Sequence, residues 1–361
     1  MKEDIDYQCV SDICIKGSSN IAQNKLIGNS GDYPIFGASG FIKNIDFYHQ
    51  ESEYIGIVKD GSGVGRVNKY PSQSSLLGTM QYILPKDGNL LDYVKYALQS
   101  LDLSHFATGV AIPHIYFRDY GKCKIPVPPL PEQQAIALEL DAIQSLITKY
   151  KEQLNDYDNL AKSIFNEMFG DVVSNDKGWE RGKIGDVCEF SQGVQVEVSN
   201  QSIVESSNKI RFLRIVDFTQ ANEQPRYIDI PNEKYIISKE DISMVRYGAS
   251  VGYVCCGLSG AIANNLFKIT PQKNILGNTF CTYFLKSDYF QGKICNNKKG
   301  CAMPAINFKT IKPIPIPLPP LPLQQTFAAR ITAIESQKDK LKQQITDLQT
   351  LFDSRMQYYF D

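Results

Sequence analysis

The stretches "IPVPPLPEQQ" (125–134) and "IPIPLPPLPLQQ" (314–325) are two versions of one unusual helix entrance. Proline has no backbone N–H and holds the residue before it extended, so a helix cannot extend backward through either stretch. Proline is well accepted in the first helical turn, which predicts that the two helices begin near Pro131 and Pro322. The chain therefore repeats a proline-led helix after about half of its length.

Apolar residues follow the first entrance in strict alternating steps of four and three residues. The positions are Ile136, Leu140, Ile143, Ile147, Tyr150, Leu154, Tyr157, Ala161, Ile164 and Met168. This spacing is typical of a coiled-coil seam. A helix across these positions would be about 50 Å long, and Gly170 is a natural place for it to end.

The same spacing, shifted by 191 residues, follows the second entrance. The positions are Phe327, Ile331, Ile334, Lys338, Leu341, Ile345, Leu348, Phe352, Arg355 and Tyr359. Lys338 and Arg355 interrupt this seam, and such charges either set the register of pairing or extend to the seam's edge. Two matching seams in one chain favour pairing with each other over two separate dimerisation helices. The pattern leaves open whether they pair parallel or antiparallel.

Two further blocks repeat in the same order. "TGVAIPHIYF" (108–117) aligns with "KGCAMPAINF" (299–308), and "VKDGSGVGRV" (58–67) aligns with "VRYGASVGYV" (245–254). A repeated unit of roughly 190 residues is too long for a solenoid repeat and is typical of a duplicated domain with its helix.

Between the helices, short runs rich in Val, Ile, Tyr and Phe are broken by Gly, Asn and Ser, which predicts mixed α+β units. The segments "LLDYVKYALQSL" (90–101) and "LGNTFCTYFLKSDYF" (276–290) have helical spacing and occupy corresponding places. The predicted order is globule, helix, globule, helix.

Composition excludes several classes of protein. A chain of 361 residues, 43% hydrophobic and 21% charged, is expected to form two globular cores. The start "MKEDIDYQCV" lacks the basic and apolar regions of a secretory signal, and no stretch approaches the roughly 18 apolar residues of a membrane span. We therefore expect a cytoplasmic protein. The near balance of 38 Lys+Arg against 39 Asp+Glu does not by itself indicate a nucleic-acid partner.

No catalytic or metal site is predicted. The nine cysteines are not spaced as C-x-x-C, and three histidines are too few and scattered to suggest a metal centre. The adjacent Cys255 and Cys256 are interpreted as packed strand residues. The "GSGVGR" stretch (61–66) does not fit a phosphate-binding loop, and no carboxylate pattern recurs between the halves.

The ordered blocks resemble those of a known family. A "YPIFGASGFI" stretch (33–42), a glycine turn, a "GVAIPHI" loop, the proline entrance and a heptad helix, with most blocks present twice, resemble the specificity subunit of type I restriction-modification systems. The resemblance implies target recognition domains over residues 1–130 and 171–320, with conserved helices over 131–170 and 321–361. It further implies that these helices pair as an antiparallel coiled coil and that each domain reads one half of a split DNA sequence.

The resemblance also implies partners. They are double-stranded DNA, modification subunits that use S-adenosylmethionine, and restriction subunits that use ATP and Mg²⁺, with no cofactor and no catalytic residue in this chain. The alternative interpretation is a non-enzymatic coiled-coil scaffold that binds other proteins, which the heptads and the balanced charge fit equally well.

Two sets of loops are candidate DNA contacts. The glycine turns could bring backbone amides and flanking cations to a phosphate, although tight turns that merely need positive φ have the same composition. The loops before "GVAIP" and "GCAMP" contain amide and cationic side chains suited to base edges and phosphates, although exposed polar loops also look like this. The candidates are Lys59, Ser62, Arg66, Lys69, His105, Thr108, His114, Arg246, Tyr247, Ser250, Asn296, Asn297, Lys298 and Lys299.

Overall fold

The computed structural model describes residues 6–109, 111–220, 223–295 and 305–361. It divides into two compact units. The first contains the described residues up to Glu152 together with Lys342–Asp361, and the second contains the described residues from Gln153 to Leu341.

The first unit is a mixed α+β fold. Its strands are β1 (Tyr7–Cys9), β2 (Cys14–Ser18), β3 (Tyr33–Gly37), β4 (Gly40–Ile45), β5 (Tyr54–Val58), β6 (Val67–Tyr70), β7 (Ser75–Leu76), β8 (Met80–Pro85) and β9 (Lys124–Pro126). Its helices are α1 (Val10–Ile13), α2 (Leu91–Ser100), α3 (Phe117–Tyr120), the N-terminal part of α4 (Leu130–Phe169) and, from Lys342, the C-terminal part of α10 (Leu321–Phe360). One sheet has the order β2-β8-β5-β6, a second has the order β4-β3-β7, and β1 pairs with β9.

The second unit has the same classes of element. Its strands are β10 (Arg181–Lys183), β11 (Cys188–Gln192), β12 (Lys209–Leu213), β13 (Arg226–Asp229), β14 (Ile236–Ile237), β15 (Ile242–Val245), β16 (Val254–Cys255), β17 (Gly260–Ile262), β18 (Leu266–Pro271) and β19 (Pro315–Pro317). Its helices are the C-terminal part of α4 from Gln153, α5 (Ile184–Val187), α6 (Ile215–Thr219), α7 (Asn278–Lys286), α8 (Asp288–Cys295), α9 (Phe308–Ile311) and the N-terminal part of α10.

The two units share one topology, which confirms the predicted duplication. The sheet β11-β18-β15-β16 repeats the order of β2-β8-β5-β6, and the parallel pair β12 with β17 repeats β3 with β7. Even the register is kept, since Cys14 lies opposite Pro85 and Cys188 lies opposite Pro271. The second unit adds β14 at the edge of the sheet that corresponds to β4-β3-β7, which gives the order β13-β12-β17-β14.

The two long helices begin where the prolines predict. Each has 40 residues, or about 60 Å, and starts one residue before the prolines at 131 and 322. They exceed the predicted length because the proline-led first turn is itself helical. Helix α4 ends at Phe169, and Gly170 follows with φ of 76°, a left-handed conformation that glycine adopts without strain.

A buried glutamine explains the "QQ" of the second entrance. Gln324 is 2% exposed, and its amide makes three hydrogen bonds. Its Nε2 donates to the carbonyls of Pro319 at 2.7 Å and Ile275 at 3.0 Å, while its Oε1 accepts from the N–H of Gly277 at 2.8 Å. The side chain thus ties the proline segment, the helix start and the loop before α7 together.

The first entrance is built in the same way. Gln133 is 1% exposed, its Nε2 donates to the Pro128 carbonyl at 2.9 Å and the Gly88 carbonyl at 3.3 Å, and its Oε1 accepts from the N–H of Leu90 at 2.9 Å. The motif repeats because each unit needs its own buried amide at this junction.

The heptad seams face inward in both units. Ile136, Leu140, Ile143, Ile147, Phe327, Ile331, Ile334 and Leu341 are buried, and Leu154, Ile164, Ile345, Leu348 and Phe352 are partly buried. In the first unit, Ile136 and Leu140 belong to the main core together with Phe360. In the second, Phe165 and Phe327 belong to the main core, with ring centroids 5.6 Å apart.

Pairing is antiparallel. In the second unit, the ring centroid of Phe169 lies 5.2 Å from that of Phe327, and Nζ of Lys338 lies 2.8 Å from a carboxylate oxygen of Asp158. A later residue of α10 therefore contacts an earlier residue of α4, so the two helices run in opposite directions. In the first unit, Arg355 Nε lies 2.6 Å from a carboxylate oxygen of Glu139. The two charges that interrupt the second seam therefore pair with acids of the other helix, a contact that favours one register.

One predicted helix requires a correction. The segment 276–290 is not a single helix, because α7 ends at Lys286 and α8 begins at Asp288. Between them Ser287 donates from Oγ to the Phe284 carbonyl at 2.6 Å and accepts from the N–H of Phe290 at 3.4 Å. This side chain satisfies backbone groups at both helix ends, as serine commonly does at an N-terminus.

Candidate nucleic-acid interface

In the first unit, the glycine turn and the "GVAIP" loop lie side by side. The N–H of Gly61 donates to the Pro113 carbonyl at 2.9 Å, and the N–H of Ile115 donates to the Lys59 carbonyl at 3.0 Å. The side chain of His114 contacts the carboxylate of Asp60. These bonds bring Lys59, Ser62 and His114, predicted from separate motifs, to one surface.

The second unit repeats this frame. The N–H of Ile306 donates to the Arg246 carbonyl at 3.0 Å, and Tyr247 forms an antiparallel bridge with Ala305. Asp60 and His114 form the corresponding bridge of the first unit. The candidates Asn296, Asn297, Lys298 and Lys299 lie outside the described residues.

The glycines of both turns adopt conformations that other residues rarely do. Gly61, Gly63 and Gly65 have φ of 81°, 85° and 89°, and Gly248 and Gly252 have φ of 85° and 86°. The turns therefore have the positive φ that glycine adopts without strain, which is the alternative explanation of their composition. The two interpretations are compatible, because a glycine turn that shapes the loop also exposes the side chains it carries.

Several candidates already have partners within the chain. Arg66 donates from Nη2 to the Ala38 carbonyl at 2.8 Å and from Nε to the Gly63 carbonyl at 3.3 Å, so it braces the turn. Lys69, on β6, lies 2.9 Å from a carboxylate oxygen of Glu53 and 3.1 Å from one of Asp92.

Other candidates present their side chains to solvent. His105 is 77% exposed and lies 2.9 Å from a carboxylate oxygen of Asp102. Ser62 and Thr108 are exposed. Tyr247 is 40% exposed, with the guanidinium of Arg246 4.8 Å from its ring centroid, and Ser250 is half-buried in the same turn. An exposed aromatic ring beside a cation is a surface that can contact DNA.

Sequence reasoning missed an arginine pair in the second unit. Asp217 has a fully buried side chain and lies 3.0 Å from Nε of Arg214 and 3.5 Å from Nη2 of Arg211. These residues lie in "KIRFLRIVDF" (209–218), one of the short runs rich in Val, Ile and Phe that indicate a strand. In the sequence, Asp217 follows Arg214 by three residues and Arg211 by six. This spacing does not show that the three side chains meet, because they do so only where the chain turns from β12 into α6.

The cysteines that can be described act mainly in packing. Burial raises the pKa of Cys14 and of Cys255 to about 12, so both thiols stay protonated at neutral pH. The prediction that Cys255 and Cys256 are both packed strand residues is wrong for Cys256, which lies just beyond β16 and is exposed.

Two further observations concern the described ranges only. No group of three or more His, Cys, Asp or Glu side chains there is arranged to hold a metal ion. No helix there has both the length and the apolar character that crossing a membrane requires.

Known proteins resemble this chain along most of its length. The family described as "Type I restriction modification DNA specificity domain" matches residues 2–156 and 176–349. The MjaVIII specificity subunit of Methanocaldococcus jannaschii is 24% identical over 344 residues, which cover 85% of this chain and 79% of that protein. The EcoBI specificity subunit of Escherichia coli is 21% identical over 271 residues, which cover 66% of this chain and 57% of that protein.

Solved structures share the fold. The S subunit of a type I restriction-modification system from M. genitalium matches with a TM-score of 0.66 at 16% identity, covering 100% of this chain and 98% of that one. A chain from a structure of type I complex assembly and conformational transition matches with a TM-score of 0.53 at 16% identity, covering 99% and 97%. These findings favour a specificity subunit over a general scaffold, and a recognition component over an enzyme. The chain belongs to the type I restriction modification DNA specificity family.

Proposed function

We propose that this chain is the sequence-specific DNA-binding subunit of a type I restriction-modification complex, in which each recognition domain reads one half of a bipartite target. One observation carries the proposal: the same frame of glycine turn and bridged loop is built twice, with different side chains. The first unit has Lys59 and His114 in this frame, and the second unit has Arg246 and Ala305 at the corresponding positions. A frame that is repeated in both units but carries different side chains suits a reader of two different half-sites.

The long helices act as a spacer and as a docking platform for modification subunits. A helix of about 60 Å is longer than one turn of B-DNA, about 34 Å. Domains carried by such a spacer would reach groove faces about a turn apart, which implies a target with a gap between its specified halves.

Double-stranded DNA, modification subunits and restriction subunits are the proposed partners, meeting in the cytoplasm. S-adenosylmethionine, ATP and Mg²⁺ belong to those other subunits, while this chain binds none of them. With 38 Lys+Arg against 39 Asp+Glu, the chain releases few counterions when it meets DNA. We therefore expect weak DNA binding by the chain alone and tight binding once modification subunits are present.

Single-molecule methylome sequencing of the source cell, with and without this gene, tests the proposal. The expected result is a methylated motif in two parts, separated by a fixed gap, that disappears with the gene. A fluorescence titration with mixed genomic fragments, with and without the modification subunits, provides the matching binding measurement. A methylome that does not depend on the gene, together with no DNA binding in the complex, would favour a protein-binding scaffold instead.

A further inference from the structure

The second unit contains a cleft, lined by both apolar and polar side chains, that the predicted contact residues line only in part. Its volume is about 700 Å³. The residues that line it include Gln195, Arg214, Tyr247, Ser250, Asn264 and Asn265. Tyr247 and Ser250 belong to the glycine turn, whereas the other four were not predicted from the sequence.

A buried carboxylate fixes the arginine of this cleft. The side chain of Asp217 is 0% exposed, and a buried charge is tolerated only with close partners. Its oxygens accept from Nε of Arg214 at 3.0 Å and from the backbone N–H of Arg214 at 2.8 Å, and lie 3.5 Å from Nη2 of Arg211. Nη2 of Arg214 also donates to the Gln224 carbonyl at 3.0 Å.

These contacts hold the guanidinium of Arg214 in one orientation while its side chain stays 21% exposed. An arginine fork held in place loses little rotamer freedom on binding. Nη2 also lies 3.5 Å from a carboxylate oxygen of Asp217 and 3.9 Å from one of Glu223. Nη1 takes part in none of these contacts, and its N–H donors suit O6 or N7 of guanine, the acceptors that arginine most often contacts in the major groove.

An amide pair lies on the same cleft. Nδ2 of Asn264 donates to Oε1 of Gln195 at 3.2 Å. The bond leaves the NH₂ group of Gln195 and the carbonyl oxygen of Asn264 as a neighbouring donor and acceptor. This pair is complementary to N7 and the N6 amino group of adenine.

A third polar group in the cleft has no partner within the described structure. Oδ1 of Asn265 is buried and accepts no hydrogen bond there. Buried side-chain oxygens are normally satisfied, so this acceptor is suited to a donor that arrives with a ligand. The carbonyl of the same residue accepts from the N–H of Arg246 at 2.8 Å, which ties the cleft floor to the glycine turn.

We propose that Arg214, positioned by Asp217, and the Gln195–Asn264 pair read purine edges in the half-site assigned to the second unit. The inference rests on the proposed function and adds the residues that determine its specificity. The cleft is also lined by Glu197, whose charge repels phosphate, so the site favours base edges over the DNA backbone.

Motif mapping with the full complex tests this inference. The modification subunits are combined with wild-type chain, Arg214→Lys or Arg214→Ala, and the methylated positions of a randomised duplex pool are sequenced. Lysine keeps the charge but not the fork. Both variants are expected to lose about 10-fold or more of the preference for guanine at one position of one half-site, with the other half-site unchanged. Lys209→Ala is the matched control, because Lys209 lies on β12 and pairs with the exposed Asp229 at 2.9 Å.

Asp217→Asn tests the positioning role. The variant is expected to lower the preference for guanine at the same position of the half-site, but by less than Arg214→Ala does. A residue with a purely structural role would not change the base preference at that one position. The fluorescence of Trp179 verifies that the second unit is folded, and if this variant does not fold, Arg214→Lys remains decisive.

A split motif that stays unchanged in both arginine variants would overturn the inference and leave the proposed function intact. Equal loss of both half-sites in a folded variant would also overturn it, because the cleft would then act on affinity alone. Absence of any specific motif with wild-type chain would remove the proposed function as well.

Discussion

Replacing Gln324 with alanine is expected to destabilise the second unit. The change removes three hydrogen bonds of 2.7, 2.8 and 3.0 Å and leaves the carbonyls of Pro319 and Ile275 and the N–H of Gly277 without this partner. The side chain is 2% exposed, so water replaces it poorly. The loss combines missing bonds with unsatisfied buried groups.

The size of the effect follows from these contacts. A net value of about 0.5–1.5 kcal/mol for each hydrogen bond gives about 2–4 kcal/mol for the free energy of unfolding of this unit. With an m-value of about 2 kcal/mol/M in urea, the midpoint should fall by about 1–2 M.

The chain carries a suitable reporter. Its single tryptophan, Trp179, lies in the second unit and donates from Nε1 to the Phe169 carbonyl at 2.9 Å. Urea titrations followed by Trp179 fluorescence therefore report on the unit that the substitution changes. Gln325→Ala is the matched control, because it removes the same side chain from the exposed neighbouring position. If both variants shifted the midpoint equally, the buried amide would not be what holds the helix entrance.

Three other predictions concern the helices and the loops. The hydrogen bond from Tyr359, with the neighbouring Arg355, lowers the pKa of Glu139 from its ordinary 4.5, so the stability that this carboxylate contributes is present above 4.5 and is lost as the pH falls through the lowered pKa. Glu139→Gln should therefore destabilise the chain at pH 7, and the difference from wild type should shrink as the pH falls below 4.5; a difference in urea titrations that does not shrink would contradict this. Inserting one heptad after Glu152 and another after Leu341 should change the target gap by about 10 Å, or about three base pairs, while keeping both half-sites, and methylation mapping that shows altered half-sites would count against the spacer. Alanine at both Lys298 and Lys299 should flatten the salt dependence of DNA binding by the complex, and an unchanged slope in titrations would argue against phosphate contact.

Local patterns predicted the parts of the fold that depend on neighbouring residues. The prolines at 131 and 322 located the helix starts, and the four-three spacing identified the residues that face inward, because both signals are contained within a helical turn or two. The repeated blocks predicted two similar units for the same reason.

Contacts between distant residues were beyond the reach of these patterns. The sequence shows Gln324 but not that Gly277, 47 residues earlier, would donate to it. The hydrogen bond from Arg66 to the Ala38 carbonyl joins residues that are 28 positions apart. The sequence therefore does not show that this candidate phosphate contact already has a partner in its own unit. Antiparallel pairing became evident only when Asp158 and Lys338 were found together, since both directions satisfy the apolar positions equally.

The central claim is that each of the two units reads its own half of the target. Its most direct test replaces residues 171–320 with the corresponding segment of a type I specificity subunit that has a different target, followed by methylation mapping with the modification subunits. We predict a hybrid motif in which one half changes to that of the donor protein and the other half stays the same. A motif in which both halves change, or neither does, would contradict the account.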